Sequence, residues 1–353
     1  MPLQILRIID ANCNRIGEGL RFLEDVSRFL LNDASLSRQL KQIRHNVITK
    51  LNQFGPGLIS PRSADTDVGV GTSISHQQDI SSLVTANARR VEEGLRVVEE
   101  LSKLPELSVK LRSKDFEAMR FNIYTLHREL ISRVTRRQKI ERLTGLYVII
   151  DTQTLGPGNA VEAAQKAIRG GAKVVQLRGK ERSRAGLLNM AKQLAEHCRK
   201  SGVLFIVNDY LDIAIASEAD GIHVGQDDLP LKMIRQELPV DSIIGLSVTT
   251  AAQAQKAEKE GADYVAVSAV FPSPTKPEAK AVGLEGLERV KRTVSIPVVA
   301  IGGINRQNIG EVLSCGTDSV ACISAVFGEK DIEAAVSQLV KEIEKRTKNS
   351  QKS

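Results

Sequence analysis

The chain has 353 residues, 42% of them hydrophobic, and a formal charge of +7. That is enough for two domains with sizeable cores and excludes an intrinsically disordered chain. No apolar run is long enough to span a bilayer, and the start Met1-Pro2-Leu3-Gln4-Ile5 lacks the basic, apolar and small-residue order of a secretory signal, so a soluble cytoplasmic protein with no membrane partner is expected.

Residues 1–140 are expected to form a helical domain with an internal repeat. Asp10–Phe29 aligns with Thr85–Leu104, matching Ala11 with Ala86, Asn12 with Asn87, Arg15 with Arg90, and Glu18-Gly19-Leu20-Arg21 with Glu93-Gly94-Leu95-Arg96. Glu24 and Ser27 match Glu99 and Ser102, and Arg44-His45-Asn46 recurs as Arg120-Phe121-Asn122. Two related helical hairpins packed by pseudo-symmetry follow from this pattern. The repeated polar residues read either as a shared polar site or as helix-surface pairs at i,i+3 spacing. Between the copies, Phe54–Gly71 is rich in turn residues and reads as a solvated crossover. This domain holds 22 Lys or Arg against 16 Asp or Glu, leaving 27 against 26 elsewhere. With few aromatic residues and no recognition motif, the basic surplus does not point to nucleic acid.

Residues 141–353 alternate short apolar runs with amphipathic stretches. The runs are 146–150, 174–177, 204–207, 221–224, 243–246, 264–267, 298–301 and 319–322, with helical patterns such as Ala160–Arg169, Ala185–Lys200 and Ala251–Glu260 between them. Eight strands in this length predict a (β/α)8 TIM barrel, an α/β fold whose active site lies at the carboxyl ends of the strands. A doubly wound open sheet is the competing architecture. Cys13, Cys198, Cys315 and Cys322 lack C-x-x-C spacing and are expected to be buried free thiols, excluding a structural zinc or a secreted disulfide framework.

The strand ends carry the chemistry. Gln176-Leu177-Arg178-Gly179-Lys180 presents an Arg fork and a Lys charge to one anion. Asn208-Asp209 after strand 3 and Gln226-Asp227-Asp228 after strand 4 offer carboxylates to a hard cation. Asp227-Asp228 also suit a helix cap before Leu229-Pro230, and His223 is expected to point into the barrel or support the site rather than bind metal. Ser247 ends strand 5, where its hydroxyl can meet a substrate or the local backbone. Phe271-Pro272-Ser273-Pro274-Thr275-Lys276 reads as a rigid loop with two hydroxyls and an ammonium, and Pro297 as structural. Ile301-Gly302-Gly303-Ile304 and Ile323-Ser324 supply the backbone N–H groups that suit a phosphate after strands 7 and 8.

In this order, these motifs resemble the thiamine-phosphate synthase family over about residues 143–340. The resemblance implies condensation of 4-amino-2-methyl-5-(diphosphooxymethyl)pyrimidine with a 4-methyl-5-(2-phosphoethyl)thiazole to give thiamine monophosphate and diphosphate. It implies that Gln176, Arg178, Lys180, Asn208 and Lys276 hold the pyrimidine diphosphate, with Leu177 and Gly179 in the same motif, Asp209 and Asp228 the Mg2+, and Ser247 the pyrimidine side. Ser273, Thr275, Gly302, Gly303, Ile323 and Ser324 would receive the thiazole phosphate; Ser273 stands where the family often has threonine and keeps the hydroxyl. Catalysis would rest on Arg178, Lys180, Lys276 and Ser247 without a covalent intermediate. The first 140 residues resemble the extension of cyanobacterial-type members, for which a pyrimidine monophosphate kinase or a dimerisation or channelling module is the reading. They contain no Gly-x-x-x-x-Gly-Lys-Ser/Thr loop. A homo-oligomer is left open. The alternative for the whole chain, an aldolase or isomerase barrel, lacks a lysine inside a strand.

Overall fold

The computed structural model describes residues 3–51, 79–156, 158–273 and 280–350. The crossover read at Phe54–Gly71 lies outside the described residues, as do Thr275 and Lys276. The chain divides into two compact units, Met1–Arg137 and Gln138–Ser353.

In the first unit, α1 (Leu3–Asp25) continues into a π-helical turn, Val26–Leu30, and is followed by α2 (Ala34–Leu51), α3 (Ile80–Leu101), the single turn α4 (Pro105–Ser108) and α5 (Ser113–Glu141). Asp79 caps α3 by accepting the Ser82 N–H at 2.7 Å. The repeat seen in the sequence is a spatial pseudo-two-fold. A Cβ on Gly19 of α1 would lie 2.7 Å from Val91 and 3.0 Å from the Asn87 carbonyl; one on Gly94 of α3 would lie 2.7 Å from Ile16 and 3.4 Å from the Asn12 carbonyl. Ile16 and Val91 are themselves equivalent in the repeat, so α1 and α3 cross where each lacks a side chain and meets the partner's backbone.

The repeated polar residues divide between two roles. Asn12 and Asn87 each turn back on their own helix, donating to the carbonyls of Ile8 (2.8 Å) and Leu83 (2.9 Å), and Arg90 bonds Asn87 at 3.1 Å rather than pairing with Glu93. Glu24 and Glu99 instead join each copy to its second helix, through Arg44 at 3.0 Å and Arg120 at 2.9 Å. The second pair is the more buried, and Arg120 also donates to the Tyr124 hydroxyl at 3.1 Å. Removing one partner of a buried pair leaves a charge without compensation, which costs about 3 kcal/mol. Glu99 keeps a second partner, Arg96 at 2.7 Å, so Arg120→Ala is expected to destabilise the first unit by less than that, about 2 kcal/mol in chemical denaturation, and the equivalent Arg44→Ala by less again, because water reaches the Glu24 it leaves behind.

The second unit is a closed barrel of eight parallel strands in sequence order. They are β1 (Gly145–Asp151), β2 (Val174–Arg178), β3 (Leu204–Asn208), β4 (Gly221–Val224), β5 (Ile243–Val248), β6 (Tyr264–Ser268), β7 (Val298–Ile301) and β8 (Ser319–Cys322). Side chains alternate between two cores. Tyr147, Ile149, Val174, Leu204, Ile206, Ile243, Tyr264, Ala266, Val299 and Ala321 fill the barrel, joined by Leu143 just before β1. Their strand neighbours, among them Val148, Ile150, Val175, Leu177, Phe205, Val207 and Ile222, pack outward against the helices. This two-sided burial explains why the strands read as continuous apolar runs. No helix among the described residues is long and apolar enough to cross a membrane.

All four cysteines are free; Cys198 and Cys322 are buried, whereas Cys13 and Cys315 are only half-buried, short of the burial expected for them. Burial pushes the thiols of Cys13, Cys198 and Cys322 up to about 12. These groups therefore stay protonated at neutral pH and make poor nucleophiles.

Candidate active site

A cavity opens where the strands end, lined by residues from all eight strands or the loops that follow them. Gln176, Arg178, Asn208, His223, Ser247, Ser273, Gly302, Gly303, Ile323 and Ser324 face it together, although they are spread over 149 positions of sequence, from 176 to 324. Gln176 and Arg178 reach it because period-2 alternation turns both inward from β2.

Leu177 and Gly179 are not on the lining. Leu177 points into the outer core, as alternation requires of the residue between two inward ones, and a Cβ on Gly179 would sit 2.7 Å from Leu187 of the helix layer. The side chain of Leu177 is thus a packing group, and Gly179 is the point where chain and helix layer come close, which leaves their backbone as the part that can meet a substrate.

Arg178 is held by a partner that the sequence analysis did not single out. Asp151 ends β1 directly opposite Arg178 in the barrel register, and its Oδ2 accepts from the Arg178 Nη1. Its Oδ1 accepts the N–H groups of Gln153 (2.9 Å) and Thr154 (3.0 Å), capping α6 (Thr152–Leu155). One buried carboxylate thus fixes both the guanidinium and the loop after β1. The available signal was the run Tyr147-x-Ile149-x-Asp151, which continues the inward face of β1 to the rim.

The rim beyond the cavity carries the charges expected of a cation site. Lys180 reaches Asp209 at 3.3 Å. Asp209 adopts a left-handed backbone, φ 63°, with its N–H donated to the His223 carbonyl at 2.9 Å, and so turns the chain away from β3. Aspartate tolerates this conformation better than most residues. Burial, and then the negative charge of Asp228, push the Asp209 carboxyl above the usual carboxylate range, while Lys180 pulls it the other way. Asp228 is anchored by the Gly225 N–H at 2.7 Å. It does not cap the next helix, and neither does Asp227: that helix, Leu231–Glu237, begins after Pro230 with no side-chain cap. Proline at the helix entrance has fixed φ and makes a cap dispensable, which corrects the capping role considered for this pair.

The opposite wall is made by glycine. Gly302 and Gly303 both have positive φ, 104° and 62°, and a Cβ would lie 2.5 Å from Ala269 and 2.4 Å from the Pro272 carbonyl respectively. Val270 and Phe271 donate to the carbonyls of Ile301 (2.8 Å) and Gly302 (3.0 Å), tying the loop after β6, which carries Ser273, to the loop after β7. Ser324 starts the short helix Ser324–Phe327.

His223 is buried inside the barrel, between Tyr264 at 3.1 Å and the Ser247 hydroxyl at 2.9 Å. Its side chain supports the site, as its place on β4 implied. Tyr147 and Tyr264 also line the cavity and went unremarked in the sequence analysis; the signal was a tyrosine at an inward position of an apolar strand.

A parallel barrel with an Arg–Lys–carboxylate rim on one side and a glycine wall on the other defines the class of phosphate-handling (β/α)8 enzymes. The comparisons narrow that class. The family model described as thiamine monophosphate synthase matches residues 146–326, and that of the ThiD2 family residues 7–129. The thiamine-phosphate synthase of Thermosynechococcus vestitus is 36% identical over 347 residues, covering 96% of this chain and 95% of its own length. That of Synechocystis sp. is 37% identical over 349 residues, covering 97% of each. Among solved structures, the thiamine phosphate pyrophosphorylase from Pyrococcus furiosus is similar at 40% identity and a TM-score of 0.55, spanning 59% of this chain and 98% of its own. The chain belongs to the thiamine-phosphate synthase family, in the form that carries an additional ThiD2-family region before the barrel.

Because asparagine keeps a capping oxygen and alanine does not, Asp151→Ala should cost about 1 kcal/mol more than Asp151→Asn in chemical denaturation. Both variants should lose turnover, since each leaves Arg178 without its carboxylate.

Proposed function

We propose that the barrel joins the pyrimidine diphosphate to the thiazole phosphate, with the diphosphate at the Lys180–Asp209–Asp228 rim and the thiazole phosphate at the Gly302–Gly303 wall. The single observation that carries this reading is the rim itself: two carboxylates close enough to disfavour each other's charge, with a lysine on one of them, beside a cavity that Arg178 and Asn208 enter. Isolated, such a pair is unfavourable. A divalent cation offsets the repulsion, and two carboxylates with substrate oxygens and water suit Mg2+, which keeps several waters in its octahedron. Among the described residues no group of three or more His, Cys, Asp or Glu side chains gathers that would suit a metal enclosed by protein. When bound, Mg2+ supplies charge neutralisation on the diphosphate oxygens.

The chain's own residues do the remaining work. Arg178, oriented by Asp151, and Lys180 take up negative charge as the bond between the pyrimidine methylene carbon and the diphosphate oxygen breaks; Lys276 is proposed to join them. The cation left on the pyrimidine methylene is captured by the thiazole nitrogen, so no protein nucleophile is required. The absence of a strand-interior lysine agrees with chemistry that forms no Schiff base. Gln176 and Ser247, which both line the cavity, are proposed to hold the pyrimidine ring, and Ser273, Thr275, Ile323 and Ser324 to join Gly302 and Gly303 around the thiazole phosphate.

Lys180→Ala and Asp209→Ala are expected to lower turnover by about 10²-fold or more with the fold retained; near-wild-type rates at saturating Mg2+ and both substrates would sink the assignment. Asp228→Asn keeps an oxygen for the Gly225 N–H while removing the repulsion on Asp209. Its melting temperature without Mg2+ should therefore rise above that of the parent chain, and the further rise on adding Mg2+ and inorganic diphosphate should disappear.

A further inference from the structure

Asn308 stands at the entrance of the helix Ile309–Ser314, where an asparagine ordinarily caps by accepting an N–H two or three residues on, yet its side chain makes no cap hydrogen bond. It reaches back instead into the loop after β7. Its Oδ1 accepts the Asn305 N–H at 2.8 Å, and its Nδ2 donates to the Gly303 carbonyl at 2.9 Å. The two partners fix which way the amide faces, because a backbone N–H only donates and a carbonyl only accepts. Asn305 in turn accepts the Gln307 N–H at 2.8 Å. Side chains thus close the turn from Gly303 to Asn308 on itself.

Peptide planarity carries the effect of that bond to the cavity. In a trans peptide the N–H points opposite to the carbonyl it is joined to. The Gly302 carbonyl accepts from the Phe271 N–H at 3.0 Å, and the Gly303 carbonyl from Asn308. Neither Phe271 nor Asn308 lines the cavity, whereas Gly302, Gly303 and Ile304 all do. The opposite ends of these two peptides, the N–H groups of Gly303 and Ile304, therefore turn toward the cavity. Among the described residues neither N–H has an acceptor. Successive N–H groups presented from a turn make a concavity suited to an anion.

We propose that Asn308 is a positioning residue for the phosphate of the second substrate: by holding the Gly303 carbonyl it aims the Ile304 N–H, beside that of Gly303, at an anion on the glycine wall. Asn308 acts on the phosphate only through that peptide. The identity of the phosphate rests on the synthase reading above; the aim of the N–H groups rests on the loop geometry alone.

The test uses the full chain and Asn308→Asp. Aspartate caps a helix as well as asparagine and keeps an oxygen for the Asn305 N–H, but it sets an acceptor against the Gly303 carbonyl. A side chain that served only as a cap would tolerate the change. The KM for the thiazole phosphate should instead rise about tenfold or more, the loss expected of a hydrogen bond to a charged group, while the KM for the pyrimidine diphosphate stays unchanged. Asn308→Ala removes the bond without the repulsion and should give the same split in smaller measure, which keeps the result readable if the added charge unfolds the loop. The second readout needs no turnover. In the chain labelled with nitrogen-15 isoleucine, with Ile304 assigned by subtracting the spectrum of Ile304→Val, inorganic phosphate should move the Ile304 amide proton downfield in the parent and leave it in place in the Asn308 variants. An Ile304 amide that ignores phosphate in the parent, or responds equally in the variants, overturns the inference, as does an unchanged KM for the thiazole phosphate. If the parent chain does not condense the two substrates, the synthase reading fails, whereas the phosphate titration still decides the role of Asn308.

Discussion

Barrel closure sends every second strand residue into a space that water does not fill, and each polar group placed there must find its partner inside. Leaving one buried donor or acceptor unpaired costs about 1–3 kcal/mol. Tyr147, Gln176, His223 and Tyr264 meet that demand by bonding to one another, with Ser247 closing the row at the cavity. The floor of the cavity is therefore a connected polar row set among the apolar side chains Ile149, Val174, Leu204, Ile206 and Ile243, with Ile149 and Ile206 in register with Gln176. A connected network of this kind orients its members more narrowly than separate pairs would.

Above this layer, the rim is organised by a different economy. Asp151, Asp209 and Asp228 are not equivalent. Asp151 is consumed by structure, with one oxygen on Arg178 and the other on the start of α6. Asp209 and Asp228 face each other with Lys180 on the first and the Gly225 N–H on the second, a poorly balanced arrangement that a bound cation and diphosphate would correct. Instability stored at the place where the ligand binds is the ordinary trade between stability and function. The glycine wall is its counterpart: Gly302 and Gly303 bring two loops within a distance that no side chain permits.

The first unit solves a related problem by duplication. Each hairpin presents a helix with a glycine gap, and the two gaps interlock so that Ile16 and Val91 fill each other's vacancies. Glu24–Arg44 and Glu99–Arg120 tie each copy in the same way. The repeated asparagines, in contrast, satisfy carbonyls of their own helices, so the symmetry of the polar residues is at least partly a symmetry of helix packing.

Periodicity and strand-end chemistry by themselves determined the barrel, the place of its eight strands, the helical repeat and most residues lining the cavity, because both depend on local spacing that is printed along the chain. β4, β7 and β8 run over the residues read from the sequence, and the others extend by one or two residues at either end, as at Gly145, Asp151 and Val248. Only the tertiary structure decided how those residues divide the work. Arg178's partner lies 27 positions away on the neighbouring strand, Tyr147 and Tyr264 are joined across 117 positions, and the outward turn of Leu177 follows from which face of β2 the closed barrel makes its interior. Register and closure bring such groups together, and neither is a property of any one segment of sequence.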